Sequence, residues 1–263
     1  MSGIQPEFTH DLAGGGRRPL HAAAGILFAM PIEADAFERM ASDRVELHAG
    51  GLVFYEGRIA GRGVAWCITG VGSLAAARAT RLLIDGHRPR VIVSAGFAGG
   101  LAASLVRGAV VRPVSVAADD DRPAIPLASG DAGPAGAAGG LRLITACRVL
   151  RTPAEKRAKH ESSGADLVDM ETHAIASVAA TAGVPCTAIR VISDDAQHEL
   201  PREVAALAEP QSAMRRLGTA LGAIGRRPRA ALDLWRLYEH AVVDGRTLAA
   251  ALAAFCESLP QED

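Results

Sequence analysis

Residues 184–195 read Val-Pro-Cys-Thr-Ala-Ile-Arg-Val-Ile-Ser-Asp-Asp. Within them Cys186–Ile192 is a near-continuous apolar run of strand length, and it ends on Ser193, Asp194 and Asp195. Residues 24–30, Ala-Gly-Ile-Leu-Phe-Ala-Met, form a second such run, followed by Pro31 and Glu33. Strands that do not alternate apolar with polar residues are expected where a sheet is covered on both faces. These two runs therefore set the expectation for the rest of the chain: a sheet between helices.

The flanking sequence fits that frame. Helical patterns are expected over Ile32–Met40, the Ala-rich Leu74–Ile84, Thr152–Glu161 and Thr172–Ala182. Thr152 is placed to cap the third with Pro153 at its first position, and Gly183 and Pro185 close the fourth. Further strands are expected over Val45–His48, Leu52–Ile59, Val64–Thr69, Val91–Ser94, Ala109–Val116, Leu141–Cys147 and Leu167–Val168. Residues 117–140, rich in Asp, Pro, Gly and Ala, read as a loop. From about Arg202 to Phe255 the pattern is helical, punctuated by Pro210 and Pro228. Strands alternating with helices argue for an α/β fold with helices on both faces of one sheet. Residues 1–20, with Gly14-Gly15-Gly16, read as a disordered tail. Residues 21–225 read as the α/β domain, and residues 226–263 as a helical extension packed on it.

Composition narrows the classes of function. The 263 residues carry 28 Lys+Arg against 29 Asp+Glu, a net charge of −1. That balance excludes a dedicated basic nucleic-acid binder and a polybasic membrane-surface protein. Apolar residues at 49% argue against disorder. Only Lys156 and Lys159 are lysines, which reads as compositional bias, since Arg and Lys serve alike on most solvated surfaces. Cys67, Cys147, Cys186 and Cys256 form no CxxC motif, and the first three lie in apolar runs that suggest buried thiols and a reducing cytoplasm. Arg17-Arg18 before an apolar run resembles a signal peptide superficially, but Pro31, Glu33 and Asp35 interrupt the run, so a first buried strand is expected. No stretch reaches the ~20 apolar residues of a membrane span. The histidines show neither HExxH nor HxH spacing, and no metal is expected.

In open α/β sheets ligands bind beyond the carboxyl ends of the strands. The segments expected there are Met30–Glu33, Gly70–Ser73, Ala95–Gly100, Asp169–Glu171 and Ser193–Asp195. Acidic groups and glycines thus converge on one edge. Neither glycine segment is a dinucleotide fingerprint or a P-loop. Taken alone, Glu171 could be an acid at a helix start and Asp194-Asp195 a helix-capping pair.

The same segments carry a family resemblance. Gly25–Glu33 (GILFAMPIE), Thr69–Ala77 (TGVGSLAAA), Ser94–Leu101 (SAGFAGGL) with Arg107–Val111, Val168–Ala174 (VDMETHA) and Val184–Asp194 (VPCTAIRVISD) occur in family order. With them the chain resembles the nucleoside phosphorylase and 5'-methylthioadenosine/S-adenosylhomocysteine nucleosidase superfamily. VDMETHAIA, RVISDDAQHELP and the tail with Arg226-Arg227-Pro228 and Leu232–Tyr238 look most like its hopanoid-biosynthesis-associated phosphorylase branch.

The resemblance implies a three-layer α/β/α fold with a central mixed sheet and an appended helical C-terminus. It implies cleavage of a purine N-glycosidic bond with no metal or organic cofactor, phosphate being a possible co-substrate. Asp194 would protonate purine N7, aided by Asp195 or burial raising its pKa. Glu171 would accept hydrogen bonds from the ribose hydroxyls, and Met170 would pack on the sugar. Glu33 would orient the attacking water, Arg190 would tether the nearby acids, and Gly72, Gly96 and Phe97 would line the site. A cytoplasmic homo-oligomer acting on a small or lipid-linked purine nucleoside is implied, with no nucleic acid partner.

Two positions depart from the family pattern. Phe97 stands where the family commonly has Ser, and Ser94 where familiar phosphorylases have Arg. A phosphate dianion beside Glu33 without that Arg would meet repulsion, which favours water. The substrate could be adenosylhopane, whose polycyclic 5' group needs an apolar exit. It could equally be methylthioadenosine, adenosylhomocysteine or a futalosine-like nucleoside, or the chain could be a non-catalytic binder. Leu232, Leu234, Trp235, Leu237, Leu248, Leu252 and Phe255 could line such an exit, though core or dimer packing is the plainer expectation.

Overall fold

In order along the chain the elements are β1 (Ala24–Phe28), α1 (Pro31–Glu38), β2 (Ser42–Ala49), β3 (Leu52–Ile59), β4 (Arg62–Ile68), α2 (Ser73–His87), β5 (Ile92–Gly100), β6 (Val110–Val111), β7 (Ser115–Ala118), β8 (Ile125–Pro126), β9 (Arg142–Thr145), α3 (Pro153–Ser163), β10 (Leu167–Asp169), α4 (Thr172–Thr181), β11 (Cys186–Asp194) and α5 (Pro228–Ser258). The computed structural model describes residues 21–120, 122–128, 140–201 and 228–261, and for residues 228–237 the backbone alone. The tail expected over 1–20, part of the 117–140 loop, the helical pattern over 202–227 and the side chains of Leu232, Leu234, Trp235 and Leu237 lie outside the described residues.

The strands form one mixed sheet in the order β2-β3-β4-β1-β5-β10-β9-β7-β8, with β11 paired to both β5 and β6. β1 runs parallel to β4 and β5, and β11 parallel to β5, whereas β2, β3 and β4 form an antiparallel meander. Every residue of β1 is buried. Leu27 packs with Ala76, Ala79 and Leu83 of α2 and with Ile175 and Ala179 of α4. Its neighbours Ile26 and Phe28 point the other way, to Phe37 of α1 and Leu248 and Leu252 of α5. β11 divides likewise, Ala188 and Ile192 to the first layer and Ile189 and Val191 to the second. A strand with a helix layer on each face has no solvent side, which is why these runs do not alternate.

The fold is the expected three-layer α/β/α arrangement around a mixed sheet, closed by a C-terminal helix. Among the described residues no helix is long and apolar enough to cross a membrane. Leu248 and Leu252 are fully buried and Phe255 packs against the same core, so these three positions are core rather than an exit.

Several local expectations are corrected. The glycine-rich segment 95–100 is not a turn after a short strand; it continues β5 to nine residues. Its first part pairs with β1 and β11, and Gly99 and Gly100 pair with β10. Ala109–Val116 is two short strands, with Pro113 in the break. Cys147 is exposed, whereas Cys67, Cys186 and Cys256 are buried.

α5 reaches its place through one glycine. A Cβ at Gly245 would lie 2.8 Å from the carbonyl oxygen of Ile32, in the first turn of α1. Backbone cannot yield as a side-chain tip can, so Gly245→Ala forces α5 off α1. The variant gains about 1 kcal/mol of helix propensity and loses about 1–3 kcal/mol to overpacking. A lower urea midpoint than the parent is expected; an equal or higher midpoint would show that the two helices separate without penalty.

Candidate active site

Pro31 opens α1 at its first position, and Glu33 follows at the third. The Glu33 carboxylate turns back and accepts hydrogen bonds from the backbone N–H groups of Ala29 (3.0 Å) and Met30 (2.8 Å) through Oε2. This is the reciprocal half of a capping box. Its other oxygen, Oε1, accepts from the N–H of Phe97 on β5 at 2.8 Å. Burial pushes the carboxyl up, while the Phe97 hydrogen bond and the Arg190 charge oppose that shift.

β5 is the wall on which these groups meet. A Cβ at Gly96 would lie 2.5 Å from Arg190 Nη1 and 2.6 Å from Glu33 Oε1. Only glycine lets the guanidinium and the carboxylate come together over this face of the strand. At Gly99 a Cβ would come within 3.2 Å of Asp194 Oδ2. Phe97 gives its N–H to Glu33 while its half-buried ring packs toward the second core layer.

Arg190 is buried at the centre of the sheet, at 2% exposure. Its Nη2, with two N–H groups to give, lies within hydrogen-bond distance of Asp169 Oδ2 (2.6 Å), Ser94 Oγ (2.7 Å) and Thr172 Oγ1 (2.5 Å). Asp169 Oδ1 in turn accepts from Thr145 Oγ1 at 2.7 Å, and Oδ2 accepts from the Thr172 N–H at 3.0 Å. Arg190 therefore does tether an acid, but that acid is Asp169 rather than Glu171. Ser94 serves this network.

Glu171 sits at the start of α4, 7% exposed, and its Oε1 accepts from the Gly72 N–H at 2.8 Å. Gly72 precedes α2 with φ +103°, a conformation glycine adopts without strain, and so presents that N–H. Burial first, then the nearby Asp169 charge, pushes the Glu171 carboxyl up to about 8. Met170 is half-buried, and its carbonyl accepts from Ser73 Oγ at 3.3 Å.

Asp194 ends β11 at a register shift after Ile192 and is 5% exposed. Its Oδ1 accepts from Ser193 Oγ at 2.6 Å. Its Oδ2 lies 2.6 Å from Lys156 Nζ. The Asp195 carboxylate accepts from the Gln197 N–H at 2.9 Å and shapes the following turn. Lys156 was not expected at the site at all. A lysine on a polar helix 38 residues before Asp194 gives no local signal.

The structure thus brings Glu33, Arg190 and Asp194 against β5, which carries Gly96 and Phe97, and joins Glu171 to Gly72 beside them. The match to the Phosphorylase superfamily model covers residues 23–142 and 140–227. The chain belongs to that superfamily. A 5'-methylthioadenosine/S-adenosylhomocysteine nucleosidase of Actinobacillus succinogenes is 31% identical over 194 residues, covering 65% of this chain and 84% of the relative. The fold is similar to the Helicobacter pylori nucleosidase of the same name, solved with a pyrrolopyrimidine inhibitor (TM-score 0.68, 18% identity, 91% of this chain, 100% of that one). It is also similar to futalosine hydrolase of Helicobacter pylori (TM-score 0.63, 18% identity, 88% and 97% covered).

The raised Glu171 pKa has a stability consequence. The folded protein holds this proton from about pH 4.5 to about 8 while the unfolded chain has released it. Stability from this group is therefore present below pH 4.5 and lost as pH rises through 8. Glu171→Gln keeps an acceptor for Gly72 and removes the titration. Its melting temperature should exceed the parent's at pH 9 by more than at pH 5. Equal differences at both pH values would show that Glu171 is not held protonated by burial.

Proposed function

We propose that this protein cleaves the N-glycosidic bond of an adenine nucleoside and releases adenine. One observation carries the reading: three buried carboxylates, Glu33, Glu171 and Asp194, gathered from three separate segments around a glycine-lined strand. Burying one carboxylate costs free energy, and burying three in one place is a feature of sites rather than of cores.

Each acid has a role in the proposal. Asp194 delivers a proton to purine N7 and is left as the carboxylate that Lys156 and Ser193 hold, so the base leaves neutral. Glu171 accepts from the ribose hydroxyls, and its carboxylate stabilises positive charge developing on the sugar. Met170 packs on the sugar face. Glu33, held by three backbone N–H groups, is a fixed acceptor for the attacking nucleophile. No metal or organic cofactor enters the scheme.

Water is the proposed nucleophile. Arg190 is the guanidinium beside Glu33, and its Nη2 is committed to Asp169, Ser94 and Thr172. A phosphate dianion would meet the Glu33 carboxyl, and the Arg190 charge is already paired with Asp169. Phe97 also lacks the hydroxyl that commonly helps hold the nucleophile in this family.

Adenosylhopane is the first candidate substrate, on the motifs VDMETHAIA and RVISDDAQHELP. The similarity to a methylthioadenosine/S-adenosylhomocysteine nucleosidase over 84% of its length supports the smaller nucleosides as the second. The retained acids argue against a non-catalytic binder. A cytoplasmic homo-oligomer is part of the same proposal.

The test is adenine release from adenosylhopane and from methylthioadenosine, each with and without phosphate. Release without phosphate, leaving a free sugar, is expected. Release only with phosphate, leaving a sugar 1-phosphate, would overturn water as nucleophile. Asp194→Asn should lower the rate by about 10²–10⁴-fold; an unchanged rate would remove Asp194 from the mechanism.

A further inference from the structure

Lys156 is fully buried, at 0% exposure. An ammonium in the interior is costly unless every N–H finds an acceptor. Its Nζ donates to two carbonyls, that of Asp195 at 2.6 Å and that of His198 at 3.0 Å, and the Asp194 carboxylate lies beside it as an ion-pair partner, Oδ2 at 2.6 Å. Two hydrogen bonds and one opposite charge thus answer the ammonium, all from the end of β11 and the turn that follows it. The lysine is itself fixed, because α3 begins with a capping box. Thr152 Oγ1 accepts from the Glu155 N–H at 3.2 Å, and Glu155 Oε2 accepts from the Thr152 N–H at 3.0 Å.

We infer that Lys156 is the positioning residue that seats Asp194 for contact with the purine. This rests on the proposed role of Asp194. The Lys156 charge draws Oδ2 to one side while Oδ1 accepts from Ser193 Oγ, so the carboxylate is oriented from both ends. The two carbonyl contacts hold the turn over 195–198 against α3, so that the backbone carrying Asp194 is held as well. The other charged groups near this end of β11 are already paired: Arg107 Nη2 lies 3.0 Å from Asp244 of α5, and Arg190 is held by Asp169. Lys156 is the cation that fixes the acid.

Two ligands read the inference without turnover. Both carry the same sugar and 5' group. One has a 9-deazaadenine base, with an N–H at the purine 7 position. The other has a 7-deazaadenine base, with a C–H there. Asp194 can accept only from the first. Equilibrium binding is measured for the parent, Lys156→Met, Asp194→Asn and the double variant.

The parent should prefer the N–H ligand by about tenfold or more, the scale of a charged hydrogen bond. Lys156→Met should erase most of that preference and leave the affinity for the C–H ligand within about twofold. In the Asp194→Asn background Lys156→Met should change the preference no further. Equal weakening of both ligands by Lys156→Met would reduce Lys156 to a structural staple. An unchanged preference would leave it no role in seating Asp194. A parent with no preference would overturn the role of Asp194 itself, and the inference with it. Lys156→Met alone leaves a buried carboxylate unpaired; if it does not fold, Lys156→Gln, with two N–H donors and less reach, is read by the same two ligands.

Discussion

The site depends on a guanidinium buried in the middle of a sheet. Arg190 is on β11, Ser94 on β5, Asp169 at the end of β10, and Thr172 in the first turn of α4. Removing one partner of such a buried pair leaves an uncompensated charge, at about 3–5 kcal/mol. The contact therefore fixes where four elements end relative to one another. Glu171 lies between Asp169 and Thr172 in sequence, so its place follows from theirs. Glu33 meets Arg190 over one face of Gly96, where a Cβ would stand 2.6 Å from the carboxylate and 2.5 Å from the guanidinium. The chemistry proposed for the carboxylates is built on a strut that need not touch substrate.

How each carboxylate is held differs, and the difference has consequences. Glu33 accepts from three backbone N–H groups. It is at once the cap of α1 and the bridge to β5, so its position is set by the backbone and changes little with its surroundings. Glu171 has the single Gly72 N–H and the nearby charge of Asp169, and burial keeps it protonated to about pH 8. Sugar hydroxyls arriving as donors would favour its charged form. Binding and ionisation at Glu171 are then linked, whereas Glu33 is preset. A rigid acceptor for the nucleophile and a responsive one for the sugar suit the two tasks.

Much of this was legible in the residues, for definable reasons. β1 and β11 declared themselves because strands covered on both faces carry no polar alternation. Leu52–Ile59 matched to the residue, and Thr152 with Pro153 marked the start of α3. The strand-end rule pointed to Glu33, Glu171 and Asp194, which the structure brings to the neighbourhood of β5. What was misread shares a cause as well. Ala95–Gly100 looked like a turn because glycine usually marks one. Here glycine is required in a strand, since Arg190, Glu33 and Asp194 crowd its surface. Asp195 was expected to act on Asp194 because it is next to it in sequence. In the structure the Asp195 carboxylate turns instead to the Gln197 N–H of the following turn.

The scarcity of lysine bears on the same point. Where 26 of 28 basic residues are Arg, the bias replaces Lys wherever either will serve. The two exceptions are both on α3: Lys159 pairs with Asp119, and Lys156 is sealed inside. A guanidinium is planar and presents its donors in a fixed fork. Each of its nitrogens carries at most two N–H groups, all in one plane, which does not suit two carbonyls and a carboxylate set around one point. An ammonium does, since its donors radiate from a single nitrogen at the end of a flexible stem. The geometry around Lys156 is the kind that resists the substitution the rest of the chain accepts. A residue type that looks like background in the composition is, at this position, dictated by the acceptors around it.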